Sequence, residues 1–471
     1  MTDFGIVSVL PPLLAIGLAI RTKQVYLSLL TGIWLGWTIL NGWNPLTGII
    51  QAVHALVDTF ADVERTRIIL VSIMIGALLS LTQYSGGMAG FVTWLERKGL
   101  VQTRRAAGVL AWGLCFFIFV ESVIGVLISG TVTRPLFDRL KISREKLSYI
   151  LDSTCAPKAT IVPLNTWGAY IIGLLLAENV ASPMRAMVSS IPFNFYCIMA
   201  IVFALFFALS DRTFGPMKKA ERRVRKEGKF LRDGAEPLIA SEALAIPPKE
   251  GAPINLLNLI LPVATVLAIL PVVLWITGDG NIMDGSGTLA PFWALIAGLA
   301  VCGISYRLQG IMSSTEVVDM FMKGVGSLVP MAVLLILAFG IGDVSRELGT
   351  GVFVAQATQA NLPMAVVPAA LFLVAGIISF STGTSYGTWA IMFPIAIPTI
   401  ALMDLNPSLT IAAVLGGGIF GDHCSPISDS TIISSMGAGT DHIDHVRTQL
   451  PYGLVVAGLT IVLYLFFGSV L

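Results

Sequence analysis

Two stretches of the chain place acidic and hydroxyl side chains beside a proline within an otherwise apolar sequence. Residues 152–166 surround Pro157, and residues 421–431 surround Pro426. A proline inside a helix removes one backbone donor and clashes with the carbonyl a turn earlier, so we expect each helix to unwind there. Freed carbonyls beside carboxylates and hydroxyls would make an oxygen-rich site suited to Na⁺ or a proton. The two stretches therefore predict an ion site at a pair of broken helices.

The predicted ion- or substrate-binding residues lie in these two breaks and in two further polar patches. Ionisable residues at membrane depth are costly and are functional by default, so Asp422 and Asp429 are the predicted Na⁺ ligands or proton acceptors. The remaining predicted residues are Ser425, Ser428 and Thr431 at the second break, Asp152, Thr154, Lys158, Asn165 and Thr166 at the first, Glu121 and Ser122 in one patch, and Ser381, Thr382, Gly383, Thr384 and Ser385 in the other.

Lys158 is the cation of this set, and at mid-membrane it needs a partner. Three roles are open. It could pair with Asp152, Glu121 or Asp429, its ammonium could replace a metal cation at one of two related sites, or it could bind a carboxylate substrate.

Four histidines add little to the predicted site. His423, beside the second break, could relay protons, although a single histidine is more often a hydrogen-bonded core residue. His442 and His445 have the H-x-x-H spacing of metal ligands, but with Asp441 and Asp444 nearby we predict a solvated loop at a cytoplasmic end.

Composition places the chain in a membrane. Of its 471 residues 55% are hydrophobic and only 12% charged, against about 25% charged residues in soluble domains. The apolar residues fall in blocks long enough to cross the hydrocarbon core. The predicted spans are 4–20, 25–41, 67–85, 143–177, 186–209, 254–276, 289–305, 325–342, 408–438 and 451–470.

Two long apolar stretches, 106–138 and 363–403, fit a single crossing poorly because each has a polar patch in its middle. We predict that both are re-entrant hairpins with polar tips. If 106–138 is a hairpin, the basic clusters on either side of it lie together in the cytoplasm, as the positive-inside rule requires. The same count puts linker 210–252 in the cytoplasm and both termini outside, in a cell (inner) membrane.

The predicted fold is an all-α polytopic membrane protein, with about ten transmembrane helices and two re-entrant hairpins in two halves of inverted topology. Residues 1–209 and 253–471 would each hold five spans and one hairpin, joined by the solvated basic linker 210–252. Inverted repeats that meet at broken helices are the usual architecture of ion-coupled transporters. The chain has no Walker A, HExxH or G-x-S-x-G motif, so we do not expect an enzyme.

Segments 381–388 and 421–431 closely resemble the NhaC family of Na⁺/H⁺ antiporters, in the ion transporter superfamily, and segments 134–135, 142–147 and 152–154 are also similar to it. The resemblance implies a homodimer with a scaffold and a moving transport domain that works as an elevator. It also implies that Asp422 and Asp429 are ion-site residues. Glu121-Ser122 and Lys158 depart from the family pattern.

These observations predict a secondary transporter that exchanges Na⁺ for H⁺ by alternating access. The alternative is Na⁺- or H⁺-coupled symport or exchange of a small carboxylate or amino acid, with Lys158 facing the substrate. Na⁺, H⁺, the lipid bilayer and a second copy of the chain are the expected partners. No cofactor and no nucleic acid are expected.

Overall fold

The computed structural model describes residues 4–22, 24–97, 102–118, 122–163, 165–210, 212–237, 246–282 and 285–471. These residues form no β-strand and only one isolated bridge, so the predicted all-helical fold is confirmed for them. Their α-helices are α1 (Leu10–Thr22), α2 (Val25–Leu40), α3 (Pro45–Asp58), α4 (Val63–Tyr84), α5 (Gly87–Arg97), α6 (Arg104–Phe117), α7 (Ser122–Arg139), α8 (Arg144–Ile161), α9 (Thr166–Ala177), α10 (Pro183–Ser190), α11 (Phe195–Leu209), α12 (Gly215–Glu227), α13 (Leu257–Thr277), α14 (Leu289–Leu308), α15 (Ser314–Glu347), α16 (Thr350–Asn361), α17 (Val367–Thr382), α18 (Ser385–Met403), α19 (Pro407–Cys424), α20 (Asp429–Ala438) and α21 (His442–Val470).

Within the described ranges, seven helices are long and apolar enough to cross a membrane, and three bent helix pairs raise the number to ten. The bends are 118° between α2 and α3, 43° between α8 and α9, and 51° between α10 and α11. The total equals the predicted ten, but the set differs. The predicted span 4–20 contains a shorter apolar helix, Gly5–Ala19, and 408–438 does not qualify, whereas both arms of 363–403 do.

Two helices are longer than the sequence predicts. The predicted span 325–342 is the middle of α15, which runs unbroken for 34 residues from a capping box of Ser313 and Glu316. The last helix, α21, begins at His442 rather than at 451, because Asp441 caps it by accepting from Asp444 N at 3.0 Å. In both cases polar helical turns extend beyond the apolar block on which the prediction was based.

The stretch 106–138 folds into two helices that pack side by side. Arg104 at the start of α6 donates a 2.9 Å hydrogen bond to the carbonyl of Leu140, just after the end of α7. The chain therefore turns back on itself, in a unit we call hairpin 1. Its tip includes the predicted site residue Glu121, which lies outside the described residues.

The stretch 363–403 also folds back. Helices α17 and α18 meet at a tip of Gly383 and Thr384. Their outer ends share a small apolar cluster that contains Val367 and Met403. We call this unit hairpin 2. That either hairpin re-enters the membrane from one side stays a prediction.

The second helix break lies where the sequence predicts it, and the first does not. Residues 425–428, around Pro426, separate α19 from α20. In the first half, α8 continues through Pro157, and the break comes at residues 162–165. Pro163 explains this position, because it excludes the helical conformation for Val162, whose φ and ψ are −95° and 111°. Asp152 is therefore inside a helix, nine residues before its end.

Both halves contain a hairpin followed by two helices that are separated by a break. Hairpin 1 precedes α8 and α9, and hairpin 2 precedes α19 and α20. Helix α19 packs on α17 without intervening side chains, since a Cβ on Gly421 would lie 2.2 Å from the carbonyl oxygen of Gly376. Small residues permit such close approach of membrane helices. The inverted relation of the two halves stays a prediction.

The linker is not the solvated segment that the sequence predicts. Its helix α12 buries Met217, Ala220, Glu221 and Val224. Glu221 pairs with Arg104 of α6 at 2.5 Å, and Arg223 pairs with Glu145 of α8 at 2.6 Å. The basic run is amphipathic, so its apolar positions pack on the protein together with Glu221 and Arg223, while Arg222 and Lys226 are exposed.

Two parts of the linker bind different helices. At its middle, Arg232 pairs with Asp444 of α21 at 3.1 Å. Near its end, Lys249 pairs with Glu316 of α15 at 2.7 Å, and its N–H donates to the carbonyl of Tyr84 in α4 at 2.9 Å. The linker therefore connects the α6–α8–α21 region with α4 and α15.

Candidate cation-binding site

A cavity of about 420 Å³ lies where hairpin 1, hairpin 2 and the two broken helix pairs α8–α9 and α19–α20 approach one another. Three carboxylates line it: Asp152 from α8, Asp422 from α19 and Asp429 from α20. Among the described residues, no lysine, arginine or histidine belongs to its wall. A cleft lined by charges of one sign concentrates ions of the opposite sign. The cavity therefore favours cations.

Several predicted residues complete this wall. They come from four different elements, and the cavity is the place where hairpin tips and broken helices meet. They are Ser122, Thr166, Thr382, Gly383 and Thr384.

Asp422 is held by hydroxyl groups on both sides of its carboxylate. Ser385 Oγ donates to Oδ2, and Ser428 Oγ donates to Oδ1. Ser385 begins α18, and Ser428 is the N-cap of α20, so the carboxylate faces the first turns of two helices. The positive ends of helix dipoles stabilise an anion there. Asp422 is thus a buried carboxylate whose negative charge the fold supports.

Asp429 is the more open acid. It is the first residue of α20, and its side chain is exposed at the cavity. An incoming ion can meet Asp429 without displacing a packed side chain. Asp422 and Asp429 thus present one buried and one exposed carboxylate to the same cavity.

The tip of hairpin 2 rests directly on the second break. Gly383 has a φ of +72°, which non-glycine residues rarely adopt, and a Cβ there would lie 2.6 Å from the carbonyl oxygen of Ile427. Ser425 Oγ donates to the carbonyl of Phe380 at 2.7 Å and so ties the break to α17. The two elements that carry the site are in direct contact.

Some predicted residues support the break and do not line the cavity. Thr431 Oγ1 donates to the carbonyls of Ser425 and Ser428 at 2.8 and 2.9 Å. Thr382, although it lines the cavity, bonds back to the carbonyl of Ile378 at 2.9 Å. Hydroxyl groups in membrane helices often bond in this way.

Asp152 has partners that the sequence does not predict. Its Oδ2 lies 3.2 Å from His445 Nε2 and 2.7 Å from Gln449 Nε2. His445 is fully buried, so the prediction of a solvated loop is wrong for this residue. The described residues also contain no group of three His, Cys, Asp or Glu side chains that could hold a metal, so the H-x-x-H spacing does not form such a site.

Lys158 points to neither Asp152 nor Asp429. Its buried ammonium donates to the carbonyl of Cys115 and, at 2.7 Å, to that of Ile118. Both carbonyls belong to the C-terminal end of α6, where the helix dipole attracts a cation. The predicted pairing with these two acids is therefore wrong, and the ammonium does not line the cavity.

Three other predicted residues do not reach the cavity. Asn165 caps α9 by accepting from Gly168 N at 2.8 Å. Thr154 is buried without a partner for its hydroxyl among the described residues, and Ser381 is half-buried beside hairpin 2's tip. Binding roles for these residues have no support from the cavity's geometry.

The sequence also missed part of the wall. The residues concerned are Gln24, Tyr26, Trp167, Ser327 and Tyr386. Tyr26 lies close enough to Asp429 to feel its charge, and its hydroxyl donates to the carbonyl of Pro330 at 3.2 Å. The one sequence signal for this residue is its position beside the polar gap between α1 and α2.

Comparison with known proteins agrees with this architecture. The MtrF transporter of Neisseria gonorrhoeae superimposes with a TM-score of 0.58 at 16% identity, over 89% of this chain and 84% of that one. A protein of Haemophilus influenzae without an assigned function is 34% identical over 98% of this chain and 90% of its own length. The Na⁺/H⁺ antiporter NhaC of Alkalihalophilus pseudofirmus is 24% identical over 36% of this chain and 44% of its own.

Fold and site together define a multi-span membrane transporter. Residues 159–469 match the profile of the Na⁺/H⁺ antiporter family. The chain belongs to the Na⁺/H⁺ antiporter family, and the resemblance to NhaC proteins seen in the sequence is confirmed.

Proposed function

We propose that the protein is a Na⁺/H⁺ antiporter in which Asp422 and Asp429 bind Na⁺ and the exchange proceeds by alternating access. The observation that carries this proposal is the cavity's lining, which has three carboxylates and, in its described part, no cationic side chain. Two buried carboxylates, Asp152 and Asp422, and the exposed Asp429 repel one another, and buried negative charges are costly without compensation. Na⁺ and protons are competing ways to supply that compensation, and such competition couples their movements.

The position of Lys158 favours this proposal over transport of an organic anion. A carboxylate substrate would need a positive group in the cavity, and the Lys158 ammonium is held instead by the end of α6. The volume of the cavity is compatible with both Na⁺ exchange and transport of an organic anion, since 420 Å³ is far more than a bare ion requires. At about 30 Å³ per water, it holds Na⁺ with water or a small organic solute.

We also propose how the cavity changes access. Hairpin 1, hairpin 2 and the broken helix pairs α8–α9 and α19–α20 would form the moving transport domain. The remaining helices would form the scaffold of a homodimeric elevator. The contact of Gly383 with Ile427 supports this, because it couples hairpin 2 to the second break. Mass measurement of the protein in lipid nanodiscs tests the dimer.

For orientation, we propose that the linker 210–252 is cytoplasmic and both termini extracytoplasmic, in a cell inner membrane. The five native cysteines are free and buried, so a single exposed cysteine can be labelled against a quiet background. Labelling at Lys226→Cys from the cytoplasmic side, but not from outside, is the expected result.

The function is tested in liposomes that contain a pH-sensitive dye. A Na⁺ gradient is imposed on the wild type, on Asp429→Asn and Asp422→Asn, and on the control Asp404→Asn. Asp404 is exposed and has a φ of 52°, a conformation that asparagine adopts readily, so its substitution should leave the fold intact.

We expect Na⁺-driven proton movement in the wild type and in Asp404→Asn. In each site variant it should fall roughly tenfold or more, since about 1.4 kcal/mol of lost ion binding already corresponds to a factor of ten. Unchanged Na⁺/H⁺ exchange in Asp429→Asn and Asp422→Asn would contradict the proposed cation site. Proton movement that requires an added carboxylate or amino acid would replace antiport by organic solute transport.

A further inference from the structure

A buried polar network continues from the cavity into the protein behind Asp152. Oδ2 of Asp152 accepts from Gln449 Nε2 at 2.7 Å and lies 3.2 Å from His445 Nε2. Gln449 Nε2 also donates to the carbonyl of His423, which fixes its amide with the nitrogen towards Asp152. The side chains of Asp152 and His445 are 1% and 0% exposed. The network is therefore shielded from bulk water on every side except the cavity.

The charges of this network do not balance unless a proton is present. Asp152 has one ion-pair partner in the described part of the chain, His445, and that partner is charged only when protonated. A buried carboxylate without a positive partner is strongly unfavourable. With one proton on the pair, the network is neutral. Without it, the protein must bury one net negative charge, which a cation in the neighbouring cavity can compensate.

Asp152 connects the two environments. Its Oδ1 has no hydrogen-bond partner among the described residues, and the residue lines the cavity that also contains Asp422 and Asp429. Its Oδ2 faces His445, whose Nδ1 is also without a partner in the described ranges. A cation held by Asp422 and Asp429 therefore acts on His445 through Asp152.

The other side of His445 leads to the linker. His445 is one turn from the start of α21, where Asp441 accepts from the N–H of Glu236 in the linker at 2.9 Å. Partial burial alone would raise the pKa of Asp441, but backbone N–H groups, first that of Asp444, outweigh it and hold that pKa below its ordinary value. The cap stays charged and keeps this end of α21 against the polar linker.

Other titratable groups surround the pair. They lie on the helices packed against α21 and on α21 itself: Glu145 and Tyr149 on α8, Tyr196 on α11, Glu221 and Arg223 on α12, Asp422, His423 and Cys424 on α19, Asp429 on α20, and Asp441, His442 and Asp444 on α21. Most have partners of their own. Glu145 pairs with Arg223, Glu221 with Arg104, and His423 Nε2 lies 2.5 Å from the Tyr196 hydroxyl.

We propose that Asp152 and His445 form the proton-binding site of the protein, separate from the cation site of Asp422 and Asp429. This rests on the proposed antiport function and adds the location of the proton. When Na⁺ enters the cavity, it supplies the positive charge that compensates Asp152, and the proton leaves the pair. When Na⁺ leaves, the pair takes a proton again. Gln449 positions Asp152 in both states.

The test counts protons released when Na⁺ binds. The purified full-length protein is placed in a weakly buffered solution with a pH indicator near neutral pH, and Na⁺ binding is measured in parallel by calorimetry. His445→Gln keeps an amide that can donate to Asp152 but cannot take up a proton. His442→Gln is the matched control, because it removes a histidine one turn earlier on α21, bonded to Ser435 and the carbonyl of Pro426.

We expect the wild type and His442→Gln to release protons on Na⁺ binding. His445→Gln should bind Na⁺ but release roughly tenfold fewer protons, because the imidazole that takes up the proton in this proposal is gone. Equal release per bound Na⁺ in wild type and His445→Gln overturns the proton site while the antiporter stands. A wild type that binds Na⁺ without proton release, or does not bind it, overturns both proposals.

A second measurement covers a His445→Gln protein that fails to fold. The chain has four histidines, at positions 54, 423, 442 and 445, so their ¹⁵N signals can be assigned with the three variants His54→Gln, His423→Gln and His442→Gln, which leave the His445 signal by difference. Conversion of the His445 ring from its charged to its neutral form upon Na⁺ addition supports the proposal. A His445 signal that does not respond to Na⁺ overturns it.

Discussion

Lys158 Nζ donates a 2.7 Å hydrogen bond to the carbonyl oxygen of Ile118, the residue that ends α6. A buried ammonium on α8 thus caps a helix of hairpin 1, with the carbonyl of Cys115 as its second acceptor. Among the residues that the structure describes, the charge of the lysine is matched to a helix end and not to a carboxylate. This contact gives the lysine a structural role beside the cavity.

Replacing Lys158 should therefore affect stability before ion binding. Lys158→Met leaves the two carbonyls without their donor, which costs about 1–3 kcal/mol, whereas Lys158→Gln can still donate to one of them. We expect thermal unfolding in detergent to rank wild type above Lys158→Gln and Lys158→Met last, with Na⁺ affinity little changed. The exposed Lys226→Met is the control. A normal melting temperature together with lost Na⁺ affinity would instead place the ammonium in the binding site.

Removing the hydroxyl of Ser385 should make protons stronger competitors of Na⁺. The ionised Asp422 would lose a hydrogen bond, and such bonds to charged groups contribute about 1.5–3 kcal/mol. We expect Ser385→Ala to lower apparent Na⁺ affinity roughly tenfold or more at acidic pH, and less at alkaline pH, where few protons compete. Transport assays at several pH values measure this.

Ser379→Ala is the control for that prediction. Ser379 lies close by and donates to the carbonyl of Gly418 at 2.6 Å. If both alanine variants lose Na⁺ affinity equally at all pH values, the effect comes from packing, and the hydroxyl of Ser385 does not support the charge of Asp422.

Two glycines allow the contact at the tip of hairpin 2 to be isolated. Gly383 and Gly349 have φ values of +72° and +70°, but a Cβ on Gly349 would meet nothing within 4 Å. Alanine should cost about 1–2 kcal/mol of backbone strain at either position. Only Gly383→Ala also presses on Ile427, so its loss of stability and of transport should be clearly larger. Similar losses in both variants would mean that the tip does not depend on this contact.

The linker should come loose when the buried pair of Glu145 and Arg223 is broken. The Glu145 side chain is only 2% exposed, and removing one partner of a buried ion pair costs about 3–5 kcal/mol. We expect Arg223→Met to be cleaved faster than the wild type by a protease at residues 228–234. The control Arg222→Met, at an exposed position, should be cleaved at the wild-type rate. Adding Glu145→Gln should restore part of the protection, since the uncompensated charge is then gone.

Part of the cavity's wall could be predicted from the sequence because membrane burial makes polar residues conspicuous. Asp422, Asp429, Thr382 and Thr384 were recognisable as polar groups in apolar surroundings, and they line one cavity. His445 was missed because the last span was predicted to start at 451. Buried positions 445, 449, 452, 456 and 460 continue one helical face into that polar turn, so helical spacing could have revealed it.

The partner of Lys158 could not be predicted in the same way. Its acceptors are the carbonyls of Cys115 and Ile118, about 40 residues away in the chain. Every residue carries a carbonyl, so residue types do not indicate which carbonyl is free.

The position of the first helix break was predicted wrongly for a different reason. Pro157 and Pro163 both lie in the stretch, and only the second coincides with a new helix cap at Asn165.

Two attachments in the second half of the linker limit how far parts of this protein can move apart. Pro237 is fastened to Asp441 at the start of α21, and the N–H of Ile246 to the side chain of Gln83 in α4 at 3.0 Å. Nine residues of fully extended chain reach about 30 Å. While both attachments hold, the distance between them cannot exceed this reach, and no transport cycle can move these two points further apart.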